Sequence, residues 1–320
     1  MEMKSGMAST QRAKWDGSVA VALFIFNRPD VTHEVMDALE AARPALLLIV
    51  SDGARQSRTG EGELVARTRA IAEAVKWPCE VRTHYATENM GCKLRVSSGL
   101  DWVFSQVESA IILEDDCVPT PGFFEFCAYH LDACRQDLRV WSLSGSNFSA
   151  IAEDATVGAY LSPYSLMWGW ATWRSRWQTY VREPQDWKSV VFRTWWRRPL
   201  ALAYWWQVAR RVVMEGVDTW DVQWILTTWR YRALSVRPNQ NLVRNIGFRP
   251  DATHTYGQHP VAQRVLQATA VWSPDGSRPV ARNRSFDQWD ESVWALMNWR
   301  SVILMALPKW WVKARLRIGK

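Results

Sequence analysis

The first half of the chain alternates continuously apolar runs with longer amphipathic segments. Val19–Phe26 and Ala45–Val50 are almost entirely apolar, which is typical of strands that are buried on both faces. Between them, Val31–Ala42 places its apolar residues on one helical face, with Asp30 as its expected N-cap. The pattern therefore predicts a strand, a helix and a second strand.

The same alternation continues after a polar, glycine-containing loop at 54–62. The pattern predicts a helix ending near Val75, a strand at Glu80–Tyr85, a helix at Leu94–Val107 and an apolar strand at Ala110–Leu113. Regular alternation of strands and helices is the signature of an α/β fold. We expect a Rossmann-like, mostly parallel sheet with helices on both faces and right-handed crossovers.

Polar residues follow three of the predicted strands directly. Asn27 and Arg28 follow the first strand, Asp52 the second, and Glu114–Asp116 the last. Ligands of open α/β sheets bind outside the carboxyl ends of the strands, where clustered carboxylates need a neutralising cation. Mg²⁺ or Mn²⁺, held by carboxylates, phosphates and water, suits this position. The alternative is a solvated acidic turn before the helix that follows Pro121.

From about Tyr160 the chain becomes rich in tryptophan. Twelve of the 22 tryptophans lie between Trp168 and Trp229. Most are expected in the core, but some could stack on a sugar ring, because indole has an apolar face and an N–H donor. The candidates are Trp168, Trp170 and Trp220. With no internal repeat or long linker, the two halves are expected to share one core.

Composition narrows the class of protein. With 320 residues and 48% hydrophobic content the chain can bury a large core, which excludes disorder for most of it. The net charge of +7 favours an anionic partner without identifying it. The five cysteines include no Cys-x-x-Cys pair, which favours reduced thiols in a cytoplasmic protein over disulfides or structural zinc.

The segment 292–320 mixes apolar and aromatic residues with basic ones, and no acidic residue follows Glu291. No uncharged run is long enough for a spanning helix. The pattern predicts a helix in the membrane interface, at the inner face of the plasma membrane, or a terminal helix docked on the core. The modest basic excess, concentrated in an apolar tail, argues against nucleic-acid binding.

Together these motifs resemble the GT-A nucleotide-sugar glycosyltransferases. They are the apolar first strand, Asp52 after the second, and a strand that runs into Glu-Asp-Asp and then Pro-x-Pro-x-Phe-Phe-Glu-Phe. The stretch Glu114–Phe126 is most similar to the metal-binding region of inverting members, among them the N-acetylglucosaminyltransferase I group and bacterial family 2-like enzymes. In motif order the resemblance extends over roughly Val19–Thr255.

The resemblance implies a nucleoside diphosphate sugar as donor. Asp116 would coordinate Mn²⁺ or Mg²⁺, with Asp115 beside the ribose or the metal and Glu114 in support. Other donor-binding residues that the resemblance implies are Phe26, Asn27, Arg28, Asp52, Asn89, Lys93 and Arg95. Simpler roles are open for some of these: a turn at Asp52-Gly53, and a solvated helix face for Lys93 and Arg95.

An inverting transfer needs a general base for the acceptor hydroxyl. Trp220–Trp224 is similar to the family's Trp-Asp-Asp-Trp-like segment, which implies Asp221 as the base and Asp218 as the second candidate. Val222 departs from the pattern where the second Asp would be, and Asp218 could instead cap the following helix. Some GT-A enzymes also use a C-terminal histidine as a metal ligand, which implies His254.

We therefore expect a metal-dependent inverting glycosyltransferase that acts on a glycan or a lipid-linked acceptor in bacterial surface polysaccharide or glycoconjugate synthesis. The alternatives are a sugar-phosphate nucleotidyltransferase and a non-enzymatic, tryptophan-rich carbohydrate-binding or membrane-associated protein. The first alternative lacks a Gly-rich basic loop after the first strand. The expected divisions are a disordered 1–17, a nucleotide-sugar half at 18–158, an acceptor half at 159–260 and a C-terminal extension at 261–320.

Overall fold

The computed structural model describes residues 15–149, 158–247, 264–269, 271–274 and 281–307. The strands in these ranges are β1 (Ala20–Ile25), β2 (Leu46–Ser51), β3 (Glu80–Tyr85), β4 (Ser109–Glu114), β5 (Cys117–Pro119), β6 (Val140–Ser144), β7 (Ala159–Ser162), β8 (Trp170–Trp173), β9 (Leu234–Pro238) and β10 (Val243–Asn245). The helices are α1 (Pro29–Ala42), α2 (Glu61–Glu73), α3 (Cys92–Gln106), α4 (Pro121–Ala133), α5 (Arg174–Trp177), α6 (Trp187–Trp195), α7 (Pro199–Met214), α8 (Asp221–Arg230), α9 (Arg284–Trp289) and α10 (Trp299–Ala306).

The main sheet has eight strands in the order β3-β2-β1-β4-β8-β6-β9-β7. Its first four strands are mutually parallel; β8 is antiparallel to β4 and β6, while β9 is parallel to β6 and β7 antiparallel to β9. The carboxyl ends of β1, β2, β4, β6 and β9 therefore lie at one edge. The predicted α/β, Rossmann-like class with a mostly parallel sheet is confirmed.

Alternate residues of β1 enter two different cores. Val21 and Leu23 pack with residues of α1 and α4, whereas Ala22 and Phe24 pack with residues of α3 and α8. Side chains of a strand alternate between the faces of the sheet, so helices cover both faces. This explains why β1 is apolar at every position.

Helix α1 begins two residues earlier than predicted. Pro29 is its first residue and Arg28 occupies the N-cap position, so Asp30 lies in the first turn and is not the cap. Proline suits the first helical position because its fixed φ matches the helix and its missing N–H would be unpaired there anyway. The consequence for the site is that Arg28 lies at the junction of β1 and α1.

Much of the tryptophan-rich region forms core. Trp170 and Trp220 expose 1% and 3% of their surface and lie face to face, with ring centroids 5.5 Å apart. Trp177 and Trp224 complete this cluster against the same face of the sheet. Because neither Trp170 nor Trp220 has a free ring face, they are core residues and not the sugar platform expected from the sequence.

A small second sheet brings the end of β10 to the acidic residues. β10 pairs antiparallel with β5, placing Asn245 opposite Cys117, and the Ile246 N–H donates to the Asp116 carbonyl at 2.9 Å. The chain therefore leaves β10 directly beside Asp116. His254 follows on this segment but lies outside the described residues.

Trp15, at the start of the described chain, and Trp272, in its C-terminal part, pack against the same core. Trp15 donates through Nε1 to the Ala42 carbonyl at 2.8 Å and its ring contacts Phe124, so order begins before residue 18. The expectation for residues 1–14 lies outside the described part. Trp272 is buried in the main core and donates to the Gly158 carbonyl at 3.1 Å.

Acidic residues anchor the segment 281–297 to the sheet edge formed by β7 and β9. Asp290 forms an ion pair with Arg237, whose side chain is fully buried. Ser162 Oγ donates to Asp287 at 2.7 Å, and Tyr164 Oη donates to Glu291 at 2.6 Å. The segment that leads into the tail is therefore docked on the sheet, and the tail itself packs on the core through Met297 and through α10.

The final described helix, α10, packs on α7 and leaves an apolar surface outside. Trp299, Ile303 and Leu304 expose 55%, 58% and 50% of their surface. Among the described residues, no helix combines the length and apolar character needed to cross a membrane. Residues 308–320, with most of the basic tail, lie outside the described part.

Candidate functional site

The carboxyl edge of β1 and β4 brings a guanidinium onto two carboxylates. Arg28, after β1, forms an ion pair with Asp115 and places Nη1 2.9 Å from Asp116 Oδ2. Asp115 and Asp116, which follow β4, are only 3% and 9% exposed. Buried carboxylates need compensating charge, and in this structure Arg28 supplies it. The predicted residues Arg28, Asp115 and Asp116 thus meet at one point.

Glu114 is the third carboxylate of the cluster, and among the described residues no arginine or lysine forms an ion pair with it. Burial, together with the charges of Asp116 and Asp115, raises the pKa of Glu114 to about 8, although Arg28 acts in the opposite direction. Burial likewise raises the pKa of Asp115, opposed chiefly by Arg28. The cluster carries more negative charge than one guanidinium neutralises, which favours an additional cation or a shared proton.

The oxygens of Asp116 suit a hard divalent ion, but the described residues do not complete a coordination sphere. Within the described ranges, no three Asp, Glu, His or Cys side chains converge as a metal cluster. Asp116 Oδ2 also lies against Gly247, where a Cβ atom would approach to 2.0 Å, so any larger residue there would displace the Asp116 carboxylate. A metal at Asp116 would need further ligands from outside the described residues, and a substrate diphosphate and water can supply them in an arrangement that Mg²⁺ commonly adopts.

Asp52 is fully engaged within the protein. Its carboxylate accepts hydrogen bonds from Gly53 N at 2.8 Å, Met90 N at 2.9 Å, Gly91 N at 3.1 Å and Asn89 Nδ2 at 2.9 Å. Burial raises the pKa of Asp52 despite these bonds. The structure thus places Asp52 and Asn89 together at the predicted edge, where they hold the loop before α3 and do not reach outward to a ligand.

Asp218 caps α3 from a distant part of the chain. It accepts hydrogen bonds from Cys92 N at 2.9 Å and Lys93 N at 2.7 Å. Gly91 permits this approach: its φ is +78°, and a Cβ there would lie 2.8 Å from Asp218 Oδ2. The helix after Asp218 begins at Asp221 with Trp220 in the N-cap position, so the alternative role of Asp218 as the cap of that helix is wrong.

Asp221 begins α8 and faces the acidic edge. Its Oδ1 accepts from Thr219 Oγ and from Val222 N, and within the described part of the chain no group donates to its Oδ2. Its charge contributes to the raised pKa of Glu114, after the larger effects of burial, Asp116 and Asp115. Asp221 is half-buried, so part of the residue is accessible to solvent.

A second group of side chains lies beside Arg28 at the end of β1. Arg55 sits over the Phe26 ring, 5.3 Å from its centroid, and forms an ion pair with Glu61. Asn27 donates to the same carboxylate at 2.9 Å. The half-buried Phe26 ring and the Arg55 guanidinium offer stacking surfaces of the kind that bind a nucleobase. Sequence patterns did not single out Arg55, because nothing local distinguishes it within the polar loop 54–62.

Lys93 and Arg95 both lie on α3, but they differ in burial and in their partners. The Lys93 ammonium forms an ion pair with Glu183 at the surface. Arg95 is only 4% exposed and donates to the His84 carbonyl on β3, and burial lowers its pKa. Arg95 is therefore neither on a solvated face nor free to bind a diphosphate, and Lys93 alone of the two keeps a reachable cation.

Trp168 is the one predicted stacking residue that is not buried. It is half-buried before β8, on the edge of the sheet that also carries the acidic cluster, and its ring contacts Phe148 with centroids 5.5 Å apart. The neighbouring chain is held there because Ser146 Oγ donates to the Trp168 carbonyl at 2.8 Å. A partly open indole on this edge suits contact with a sugar ring.

Comparison with known proteins gives little information about this site. No protein-family model matches the chain, and no curated protein matches its sequence. The fold has a distant likeness to the crystal structure of 4-diphosphocytidyl-2C-methyl-D-erythritolsynthase from Anaerococcus prevotii DSM 20548, with a TM-score of 0.30, 14% identity, and coverage of 50% of this chain and 73% of that chain. A likeness at this level carries no argument about activity.

Proposed function

We propose that the protein is a glycosyltransferase that uses a nucleoside diphosphate sugar as donor. The observation that carries the proposal is the convergence of Arg28, the Asp115-Asp116 pair and Asp221 at one edge of a Rossmann-like sheet. These groups come from three separate elements, and together they offer a cation for phosphate, carboxylates for a metal and a carboxylate for a proton. Transfer of a sugar from a nucleoside diphosphate can use all three groups, because charge develops on the diphosphate and the acceptor hydroxyl loses a proton.

On the donor side, the base would stack against the pair formed by Phe26 and Arg55, while Asn27 and Asp115 would contact the ribose. Arg28 would exchange its carboxylate partners for phosphate oxygens, which a guanidinium binds with two parallel hydrogen bonds. A divalent metal bound with the donor would be held by Asp116 and would stabilise the charge that develops on the leaving diphosphate. Lys93 is a further candidate to stabilise the negative charge on the leaving diphosphate.

Chemically, the acceptor hydroxyl oxygen forms a bond to the anomeric carbon as the bond from that carbon to the diphosphate oxygen breaks. The bonding electron pair leaves with the nucleoside diphosphate, and Asp221 Oδ2 takes the hydroxyl proton. A single displacement of this kind inverts the anomeric configuration. Asp218 is the weaker candidate for the base, because its two oxygens are already bonded to the N-terminus of α3.

For the acceptor, Trp168 is the preferred stacking residue, and the exposed apolar face of α10 is the preferred membrane contact. Trp299, Ile303 and Leu304 together form a surface that suits insertion at the headgroup level. A membrane-proximal or lipid-linked glycan acceptor is consistent with both features. We propose peripheral attachment on this basis.

Donor turnover in the presence and absence of Mn²⁺ tests the proposal. Purified protein is incubated with a panel of nucleoside diphosphate sugars that a thermal-shift screen has narrowed, because a bound ligand raises the unfolding temperature. We expect release of nucleoside diphosphate that chelation abolishes. Asp116→Ala and Asp221→Asn should each lose about a hundredfold or more in rate, whereas Asp37→Asn, on an exposed face of α1, should match the parent protein.

Two results would overturn parts of this proposal. Full transfer by Asp116→Ala removes the metal assignment. Formation of pyrophosphate from a nucleoside triphosphate and a sugar phosphate, without release of nucleoside diphosphate, indicates nucleotidyl transfer instead. Against the latter activity, the connection between β1 and α1 is only Phe26–Arg28 and contains no glycine, so a Gly-rich phosphate loop is missing there.

A further inference from the structure

A cavity of about 220 Å³ lies at the edge of the main sheet opposite the acidic cluster. Leu234, the first residue of β9, lines it and pairs with Val140 at the start of β6. β6 and β9 run in the same direction as β4, whose last residue is Glu114, so the amino ends of β6 and β9 lie away from the proposed active site. The cavity is therefore separate from the donor site.

Four arginines from three parts of the chain line this cavity, and we call them the arginine cluster. Arg193 belongs to α6, Arg230 ends α8, Arg232 follows α8, and Arg282 precedes α9. No acidic residue is among the described lining residues. Four arginines around one small space concentrate positive charge there, which favours an anion.

Only half of the arginine cluster is neutralised by the described residues. Arg230 Nε donates to Asp186 at 2.9 Å, and Arg282 donates to Asp287 at 2.7 Å. Within the described ranges, no carboxylate lies within ion-pairing distance of Arg193 or Arg232. The cavity therefore retains net positive charge.

Arg232 has a backbone conformation that usually favours glycine. Its φ is +54°, in the left-handed region, where it ends α8 by donating its N–H to the Trp229 carbonyl at 3.0 Å. Glycine is the usual residue at such a position, because a side chain there costs about 1–2 kcal/mol. Favourable interaction with the end of the helix can account for Arg230 and Arg232, but Arg193 and Arg282 come from other elements.

We infer that the arginine cluster is a binding site for a phosphate group. Guanidiniums bind tetrahedral oxyanions through paired, charge-assisted hydrogen bonds. A water molecule occupies about 30 Å³ of liquid, so the cavity has room for a phosphate with several waters. The phosphate is either a free ion or the headgroup of a lipid. Phe192, exposed on α6 next to Arg193, and Trp196, exposed directly after α6, suit the second source.

Binding of inorganic phosphate to the full chain tests this site, by calorimetry and by thermal shift in a chloride buffer of low ionic strength. We expect saturable stabilisation of the parent protein. Arg193→Gln and Arg232→Asn should each weaken the affinity about tenfold, as expected for loss of one charge-assisted hydrogen bond. Arg43→Asn is the matched control, because Arg43 is exposed, ends α1 and has a φ of +53°. It should bind phosphate as the parent protein does.

Phosphate could also bind at the donor site, so Arg28→Gln is measured in parallel and should retain the binding. With this comparison, phosphate binding at the arginine cluster is tested independently of the proposed transferase activity. Unchanged affinity in both Arg193→Gln and Arg232→Asn, or no binding by the parent protein, overturns the assignment. Arg193 is exposed on α6, so Arg193→Gln should unfold at the temperature of the parent protein when phosphate is absent.

Vesicles separate the two sources of phosphate. Sedimentation with phosphatidylcholine vesicles that contain phosphatidic acid is compared with sedimentation with phosphatidylcholine alone. If Arg193→Gln reduces the dependence on phosphatidic acid as well as the binding of inorganic phosphate, the ligand is a lipid headgroup. If it reduces the binding of inorganic phosphate alone, the ligand is a free phosphate.

Discussion

Asp52 and Asp218, from opposite halves of the chain, together accept hydrogen bonds from four consecutive backbone N–H groups at the start of α3. The four bonds, from residues 90–93, are 2.7 to 3.1 Å long. The first N–H groups of a helix have no partners within it, so these carboxylates satisfy them. The same contacts tie the tryptophan-rich half to the edge of the sheet that carries the proposed donor site.

Substitutions of Asp218 and Asp221 should therefore have different effects: one on stability and the other on turnover. Asp218→Ala removes two hydrogen bonds to the N-terminus of α3 and should lower the free energy of unfolding by about 1–2 kcal/mol. Asp221→Asn keeps its size and should change that free energy little while abolishing transfer. Urea unfolding and donor turnover on both variants check this pair. Asp218→Asn keeps the size of the side chain and one acceptor oxygen, so it can retain one of the two bonds. Loss of turnover in a folded Asp218→Asn variant would instead favour Asp218 as the base.

The buried pair Arg237–Asp290 should dominate the attachment of the C-terminal segment. Asp290→Asn leaves the fully buried Arg237 guanidinium without its ion-pair partner and should cost about 3–5 kcal/mol. Glu80→Gln breaks an ion pair between the exposed side chains of Glu80 and Arg82. It should lower the free energy of unfolding by at most about 1 kcal/mol. Equal unfolding midpoints in urea for the two variants would contradict the anchoring role of Asp290.

His84 should make stability fall in mild acid. Burial and the neighbouring Arg95 guanidinium lower the pKa of His84 from its ordinary value of 6.5. The unfolded chain then binds the proton more readily, so the contribution is fully present above pH 6.5 and is lost as the pH falls towards the lowered pKa. His84→Gln should flatten this dependence in urea titrations at about pH 7.5 and about pH 5.5. An unchanged slope would exclude His84 as its source.

The nucleobase proposal for Phe26 predicts a defect in donor binding. Phe26→Ala should raise the donor KM about tenfold, since loss of one base–aromatic stack costs about 1–3 kcal/mol. Turnover at saturating donor should stay close to that of the parent protein, because Phe26 is not proposed to contact the reacting atoms. Steady-state kinetics with the donor found in the screen measure both. A fall in kcat with an unchanged KM would place the base elsewhere.

The apolar surface of α10 predicts membrane binding. The double substitution Trp299→Ser and Ile303→Ser removes most of the exposed apolar area and should reduce sedimentation with phosphatidylglycerol vesicles about tenfold. Leu138→Ser changes a residue that is 74% exposed on another part of the surface and serves as the control. Equal sedimentation of the two proteins would show that α10 does not contact the lipid.

Much of the fold was predictable because its signals are local. The strand Glu80–Tyr85 has the predicted bounds, and the buried strands near Ala20 and Leu46 shift by only a residue at their ends. Apolar runs and helical periodicity record burial directly, so the chain itself carries that information. The position of Glu114–Asp116 at a strand end follows from the same pattern.

The tertiary structure decided which groups act on one another. Sequence order cannot tell whether Trp170 is core or surface, or that Asp218 caps α3 and not the helix beside it, because these outcomes depend on the approach of distant segments. The contact of Arg28 with Asp115 and Asp116 has the same origin. His254 lies outside the described residues, and its role as a ligand stays a prediction. The sequence by itself determined the positions of the strands and of the acidic residues that follow them, because burial produces a local hydrophobic pattern. The partners of these residues depend on which distant segments pack together, so only the tertiary structure determined them.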